Sequence, residues 1–316
     1  MFALRGAVVS LSTFAAVYCV FSLGVRFGWT ALSHWCQHLP ARRTADLLFA
    51  VRMFPFIAAT LVTAAFTVPS FLLLEPRAID EPLGVMPLAL GVCGTGFVVF
   101  GLARSALALL RASRMTSAWK DQSELIQRSA GVPVLRIAPL VPAMTATGIV
   151  RPRILLSHAA ESLLGAGEFQ AALNHELEHV RRRDNLKKLL LRLVAFPGMR
   201  KLELAWLEAA EMAADDAAVS SASEALDLAA ALIKLARLGC AESGIELTTA
   251  LVHHPASAMS ARVHRLIEWR EGRRLPSRSL SPWYATVAVL TTAAVFSCVY
   301  SNLLTRAHEA TEWLVR

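Results

Sequence analysis

The chain has 316 residues, of which 55% are hydrophobic and only 18% charged, against about 25% charged in an ordinary soluble domain. Its net charge of +8 does not point to nucleic acid. The basic residues flank apolar runs, where membrane topology accounts for them, and no basic and aromatic interleaving accompanies them. The five cysteines include no CxxC pair, which excludes a thiolate zinc site and a disulfide framework.

Apolar runs of about 20 residues predict membrane spans. The first is Gly6–Val25, read as a retained span because no small-x-small cleavage site closes it. The second is Phe54–Leu74, whose Pro55 and Pro69 are tolerable among neighbouring helices. The third is Met86–Leu110, with four glycines for close helix contact. The fourth is Tyr284–Leu304, with a short tail to Arg316. The loop before the second span carries Arg26, Arg42, Arg43 and Arg52 against Asp46, and the next loop carries Glu75, Asp80 and Glu81 against Arg77. The positive-inside rule therefore predicts a multi-pass protein of the cytoplasmic membrane. Both termini lie outside and the long stretch between spans three and four lies in the cytoplasm. No ionisable residue falls at mid-depth in a span, which speaks against a transporter or channel.

Residues 111–281 are the part long enough for a soluble domain, with 1–110 and 282–316 forming the membrane part. A helical stretch over 117–131 opens the domain. VPVLRIAPL (132–140) and RPRILLS (151–157) read as short strands. VPAMTATGIV (141–150) reads as an edge strand or hairpin arm, able to hold an extended substrate around Met144–Gly148 by strand addition. Helices follow over Glu168–Arg183, Asn185–Phe196 with Asp184 as its cap, Leu202–Val219 and Ala225–Leu238. The expected fold is an α-helical membrane protein of four spans with an inserted α+β domain.

The first of these helices carries His175-Glu176-Leu177-Glu178-His179. Histidines at i and i+4 share one helix face and can reach a single ion. The intervening Glu176 is the residue such sites use as general base. A catalytic zinc takes a third protein ligand, and Glu211 on a later helix can supply it. Asp215, one turn on, can accept the outer N–H of a ligand histidine and fix its ring. Glu208 lies one turn before Glu211 on a similar face but lacks an acid four residues later, so Glu211 is the better candidate. With the three tyrosines all in spans, a second stabiliser of the oxyanion would be His, Arg or backbone. His254 and Arg262 are the candidates, against plainer roles as a helix cap and a surface or membrane-facing cation.

HELEH at 175–179, EMAAD at 211–215 and GIVRPRILLS at 148–157 resemble the membrane-embedded metallopeptidases of the beta-lactam signal-transducer type (BlaR/MecR). Gly148, Pro152, Ile154, Leu155 and Leu156 match the stretch that precedes the zinc helix in that family. The resemblance covers most of residues 1–304. It implies one zinc ion, a gluzincin-like α+β zinc metalloprotease domain between spans three and four, and a protein substrate such as a transcriptional repressor or the chain itself. Those proteins carry an extracellular sensor after span four. Here only a short tail follows, so sensing would fall to a separate partner membrane protein. A more distant resemblance is to HtpX-type membrane proteases, to whose His-Pro…Arg segment residues 252–266 are similar. It implies membrane-protein quality control as an alternative. A catalytically idle membrane adaptor is the alternative from another class, and the presence of His175, Glu176, His179 and Glu211 argues against it.

Overall fold

A computed structural model describes residues 2–75, 84–120, 123–137, 143–238, 249–250, 256–269 and 303–310. The predicted fourth span, apart from its last two residues, lies outside them. Three helices among the described residues are long and apolar enough to cross a membrane: Phe2–Phe27, Ala41–Leu74 and Val85–Arg114. Large apolar side chains such as Val20, Leu61, Leu73, Val92 and Phe100 stand exposed on them, the outward greasy face that a lipid surround favours.

The first of these helices is α1 (Phe2–Phe27), followed by a short α2 (Trp29–Cys36). The next begins as α3 (Ala41–Val62), passes through a π-helical turn over Thr63–Thr67 and continues as α4 (Val68–Leu74). Pro69 at the start of α4 has no N–H for the ladder, and the wider turn just before it absorbs the mismatch. Arg42, Arg43 and Arg52, expected in a loop, therefore sit on the helix that becomes the second span.

Helix α5 (Val85–Lys120) runs past the expected span, but the helix expected to reach 131 stops at Lys120. Glu124–Ser129 is instead β1, antiparallel to β2 (Val132–Ile137). Ala130 and Gly131 take φ of 49° and 81°, the two-residue left-handed turn whose twist matches a hairpin. Cross-strand pairing thus overrides the local preference of a segment too short to hold a helix alone.

The chain adds β3 (Met144–Thr147) and β4 (Arg153–Ser157), and β5 (Thr249–Ala250) returns from far along the sequence. The strand order is β1-β2-β4-β3-β5, mixed because β2 and β4 are parallel and the other pairs antiparallel. This corrects one expectation: β3 is not an open edge. Thr145 and Ala146 pair with Ala250 and Thr249, so a segment of the chain itself already occupies the side where a substrate strand was expected to add.

Helices α6 (His158–Leu163), α7 (Ala166–Arg181), α8 (Asp184–Leu193), α9 (Arg200–Ala218), α10 (Ala222–Arg237) and α11 (Ala256–Ile267) complete the domain. Val134, Met144, Ile154 and Leu156 of the sheet meet Leu173 and Leu177 of α7 and Leu228, Leu232 and Leu235 of α10 in one core. Glu168 fixes the start of α7. Its Oε2 accepts from the Gly165 backbone N–H at 2.7 Å and from Lys234 Nζ of α10 at 2.6 Å.

Two smaller cores join this domain to the apolar helices. Cys36, Ala45 and Leu48 pack on Leu191, Trp206, Ala209 and Ala210, and Phe14, Tyr18, Met53 and Ala59 surround Val194. The connection between α8 and α9 is tied polar-wise as well. Tyr18 donates to the Ala195 carbonyl at 3.0 Å, and the buried Arg52 bonds the Val194 carbonyl and, at 3.0 Å, Glu203. Helix α9, which carries Glu211, is thereby braced along α3.

Candidate metal centre

Helix α7 buries one face, and His175, Glu176 and His179 lie on it, each no more than 3% exposed. Their i, i+4 spacing turns both imidazole rings towards α9. His175 Nε2 and His179 Nε2 stand 3.1 Å apart, and the Glu211 oxygens Oε2 and Oε1 lie 3.5 Å from them respectively. These ligand-type atoms all fall within 4.8 Å of one another. Glu208 is exposed, away from this group.

The outer nitrogens are held by carboxylates. His175 Nδ1 lies 2.9 Å from Asp215 Oδ1, and His179 Nδ1 lies 2.7 Å from Asp184 Oδ2. The His179–Asp184 hydrogen bond places that ring's proton on Nδ1, and the nearby Asp215 carboxylate favours the same tautomer for His175. Both Nε2 lone pairs then converge with the Glu211 carboxylate on one point, where only a cation or an added proton relieves them. The buried His-His-Glu group can therefore hold a metal ion.

The electrostatics agree. Burial opposes a charged His179, but Glu211 and Asp184 outweigh it and push its pKa up to about 10. Burial also opposes a charged His175, and Asp215 and Glu211 likewise raise it. Burial works against the Glu211 charge, yet His179 and Arg262 hold it well below the usual carboxylate range. The pocket thus attracts positive charge whichever carrier supplies it. Glu176 differs. Burial pushes its pKa up to about 7, with the histidines only partly offsetting this. Its Oε2 accepts from the Ala146 N–H of β3 at 2.6 Å, which fixes the carboxylate beside the histidines.

Arg262, expected as an oxyanion donor or a surface cation, is only 3% exposed and sits behind the centre on α11. Its Nε and Nη2 donate to Asp215 at 2.8 and 2.7 Å, and Nη1 lies 3.1 Å from Glu211. Such a fork holds two carboxylates in fixed orientation. Asp216, the neighbour of Asp215, faces outward and pairs with Arg265 at 2.6 Å. His254 lies outside the described residues.

Asp184 is the residue whose role the sequence reading missed. It was expected as a helix cap, and it does open α8, but its carboxylate turns back to His179. The turn that allows this is Arg183, in left-handed conformation with φ 54° and ψ 41°. An acid five residues after the second histidine, with no glycine between them, was the available signal. Asn185 beside it donates to the carbonyls of Ala146 at 3.1 Å and Gly148 at 3.4 Å, tying the same turn to β3.

No model of a known protein family matches the chain, and no curated protein matches it.

Proposed function

We propose that the chain is a membrane-embedded zinc endopeptidase. The observation that carries this reading is the convergence of His175, His179 and Glu211 with Glu176 fixed beside them. A tetrahedral zinc ion bound at about 2.0–2.1 Å sets its ligands roughly 3.3 Å apart. The two Nε2 atoms stand 3.1 Å apart, a different Glu211 oxygen lies 3.5 Å from each, and with one atom per residue the three ligand atoms fall within 4.8 Å of one another. Two imidazoles and one carboxylate, with a fourth position left for water, are also the donor set of catalytic rather than structural zinc.

When bound there, zinc supplies Lewis acidity and a water whose pKa falls towards about 7. Glu176, fixed beside that position, would be the general base, accepting a proton from the attacking water and returning it to the leaving amine. The Glu176 pKa of about 7, raised by burial and only partly lowered by the histidines, suits a residue that takes up and gives back a proton near neutral pH. Asp215 and Asp184 keep the lone pairs of His175 and His179 aimed inward, and Arg262 holds Asp215 and Glu211 in register. Arg262 is thus a positioning residue, its donors already engaged by carboxylates.

By its resemblance to the beta-lactam signal transducers, the substrate is a regulatory protein such as a transcriptional repressor, cut on the cytoplasmic side. The test is metal content and cleavage of casein and of the chain itself by the full-length protein in detergent. The wild type should hold about one zinc and cut. Glu176→Ala should keep zinc and not cut, and Glu211→Ala should lose zinc. A wild type without zinc after reconstitution overturns the centre. Zinc without cleavage overturns the peptidase and leaves a metal-bearing signalling domain.

A further inference from the structure

Beside the metal centre lies a cleft of about 510 Å³, with His179 on its wall and Ile149, Val150, Pro152, Leu186 and Arg183 among its lining. It is mostly apolar, with an arginine in it. Val150 is 90% exposed at its rim, an uncovered apolar side chain next to a candidate catalytic group.

Arg183 is unusual in three respects. It is exposed, and among the described residues its side chain forms no ion pair or hydrogen bond. Its neighbours in the Arg181–Arg183 run are both engaged. Arg181 lies 3.6 Å from Glu178, and Arg182 lies 3.7 Å from Asp46 and from Asp184. Finally, Arg183 stands at φ 54°, a conformation that glycine or asparagine adopts at less cost. The sharp turn explains why the backbone is left-handed there, since it returns Asp184 to His179. It does not explain an arginine. Strain retained at a cleft beside reactive groups marks function more often than packing. An unpaired guanidinium is also the side chain best suited to grip a carboxylate with two parallel hydrogen bonds.

We infer that Arg183 selects the substrate: the cleft takes a peptide in which a bulky apolar residue is followed at once by an acidic one. The apolar side chain lies against Ile149, Val150 and Leu186, and the carboxylate reaches Arg183. The inference rests on the peptidase reading for the identity of the occupant, a peptide. It goes further in naming the side chains that occupant carries.

The experiment uses three labelled peptides that differ at one position, Leu-Asp, Leu-Asn and Leu-Lys, in an otherwise fixed sequence. Binding is read by fluorescence anisotropy on full-length, zinc-loaded Glu176→Gln protein in detergent, and cleavage on the wild type. The Asp peptide should bind at least tenfold more tightly than its Lys twin. Arg183→Glu in the same background should reverse the order. Arg183→Gly, which keeps the left-handed turn and removes only the side chain, should make the three affinities equal. Equal affinities without substitution, no binding by any of the peptides, or a preference that survives Arg183→Gly overturns the inference. Wild type that cuts all three alike overturns it and leaves the peptidase reading intact. A protein that binds the Asp peptide through Arg183 and cuts none overturns the peptidase reading instead.

Discussion

The two histidines of α7 have identical chemistry and opposite surroundings. His175 faces a closed back wall, where Asp215 is 0% exposed and is gripped by the buried Arg262. His179 faces the cleft, where Asp184 is delivered by a tight turn whose apex, Arg183, is exposed. The back wall balances charge with charge in the dry interior. On the cleft side Asp184 is equally buried, but its countercharges Arg182 and Lys187 stand farther off, at 3.7 and 3.6 Å, and a backbone turn delivers it and leaves Arg183 at the surface. The contrast teaches that two equally buried carboxylates can orient two histidines of one helix by different means, one through a bidentate arginine and one through a left-handed turn.

The largest effect that can break this comparison is at Arg262. Arg262→Met removes the cation that Asp215 and Glu211 share, leaving two buried carboxylates facing each other's field. Loss of one partner from a buried pair is destabilising by about 3–5 kcal/mol. The unfolding midpoint of the metal-free protein should fall accordingly, and added zinc should restore part of the loss by supplying the missing charge. A variant as stable as the wild type would mean that the back wall is not held by charge.

Next come the two orienting acids. Asp215→Asn and Asp184→Asn should each weaken metal binding by about 10–100-fold, the usual effect of losing a carboxylate behind a metal-bound histidine. They should differ in stability. Both leave a buried arginine with less countercharge, but Asp215→Asn breaks a bidentate contact to Arg262 at 2.8 and 2.7 Å, whereas Asp184→Asn loses only the longer contacts to Arg182 and Lys187, at 3.7 and 3.6 Å. Competition with a chelator reads the first effect and denaturant unfolding the second. Equal destabilisation by both would erase the difference between the walls.

Alkaline pH gives a smaller, graded effect. The His179 pKa is raised from 6.5 to about 10, so its charged form favours the folded state. That contribution is complete below about pH 6.5 and is lost as pH rises through 10. The metal-free protein should therefore lose stability across this window. The zinc-loaded protein, whose His179 carries no extra proton, should not. Melting curves from pH 6 to 10 with and without zinc test this, and parallel curves would contradict it.

How much of this was legible in the sequence follows the same division. His175, Glu176 and His179 could be read at once because a helix fixes i, i+4 neighbours on one face. Glu211 and Asp215 repeat that logic on a second helix, so their facing was legible too. The three apolar helices were legible from composition. What could not be read depended on tertiary return. The strand Glu124–Ser129 exists because a two-residue turn pairs it with β2, against its helical look. Asp184 reaches His179 only because Arg183 turns left-handed, which no pattern rule assigns to arginine. Arg262 looked like a surface cation because sequence does not show that α11 folds back behind α9. The cover that β5 lays on β3 comes from a segment about a hundred residues away, beyond any local signal.

The smallest effect bears on the turn itself. Left-handed backbone at a residue with a side chain is unfavourable by about 1–2 kcal/mol, and glycine removes that cost. Glycine also gives the unfolded chain more freedom, worth roughly 0.4–1 kcal/mol in the other direction. Arg183→Gly should therefore leave stability unchanged or raise it by up to about 1.5 kcal/mol, while Arg183→Ala keeps the strain and gains nothing. Matched denaturation curves of the two variants measure the difference. If glycine destabilised the fold, the arginine would be holding the turn together through contacts of its own. The cleft side would then resemble the back wall, and Arg183 could no longer be read as a side chain kept for the substrate.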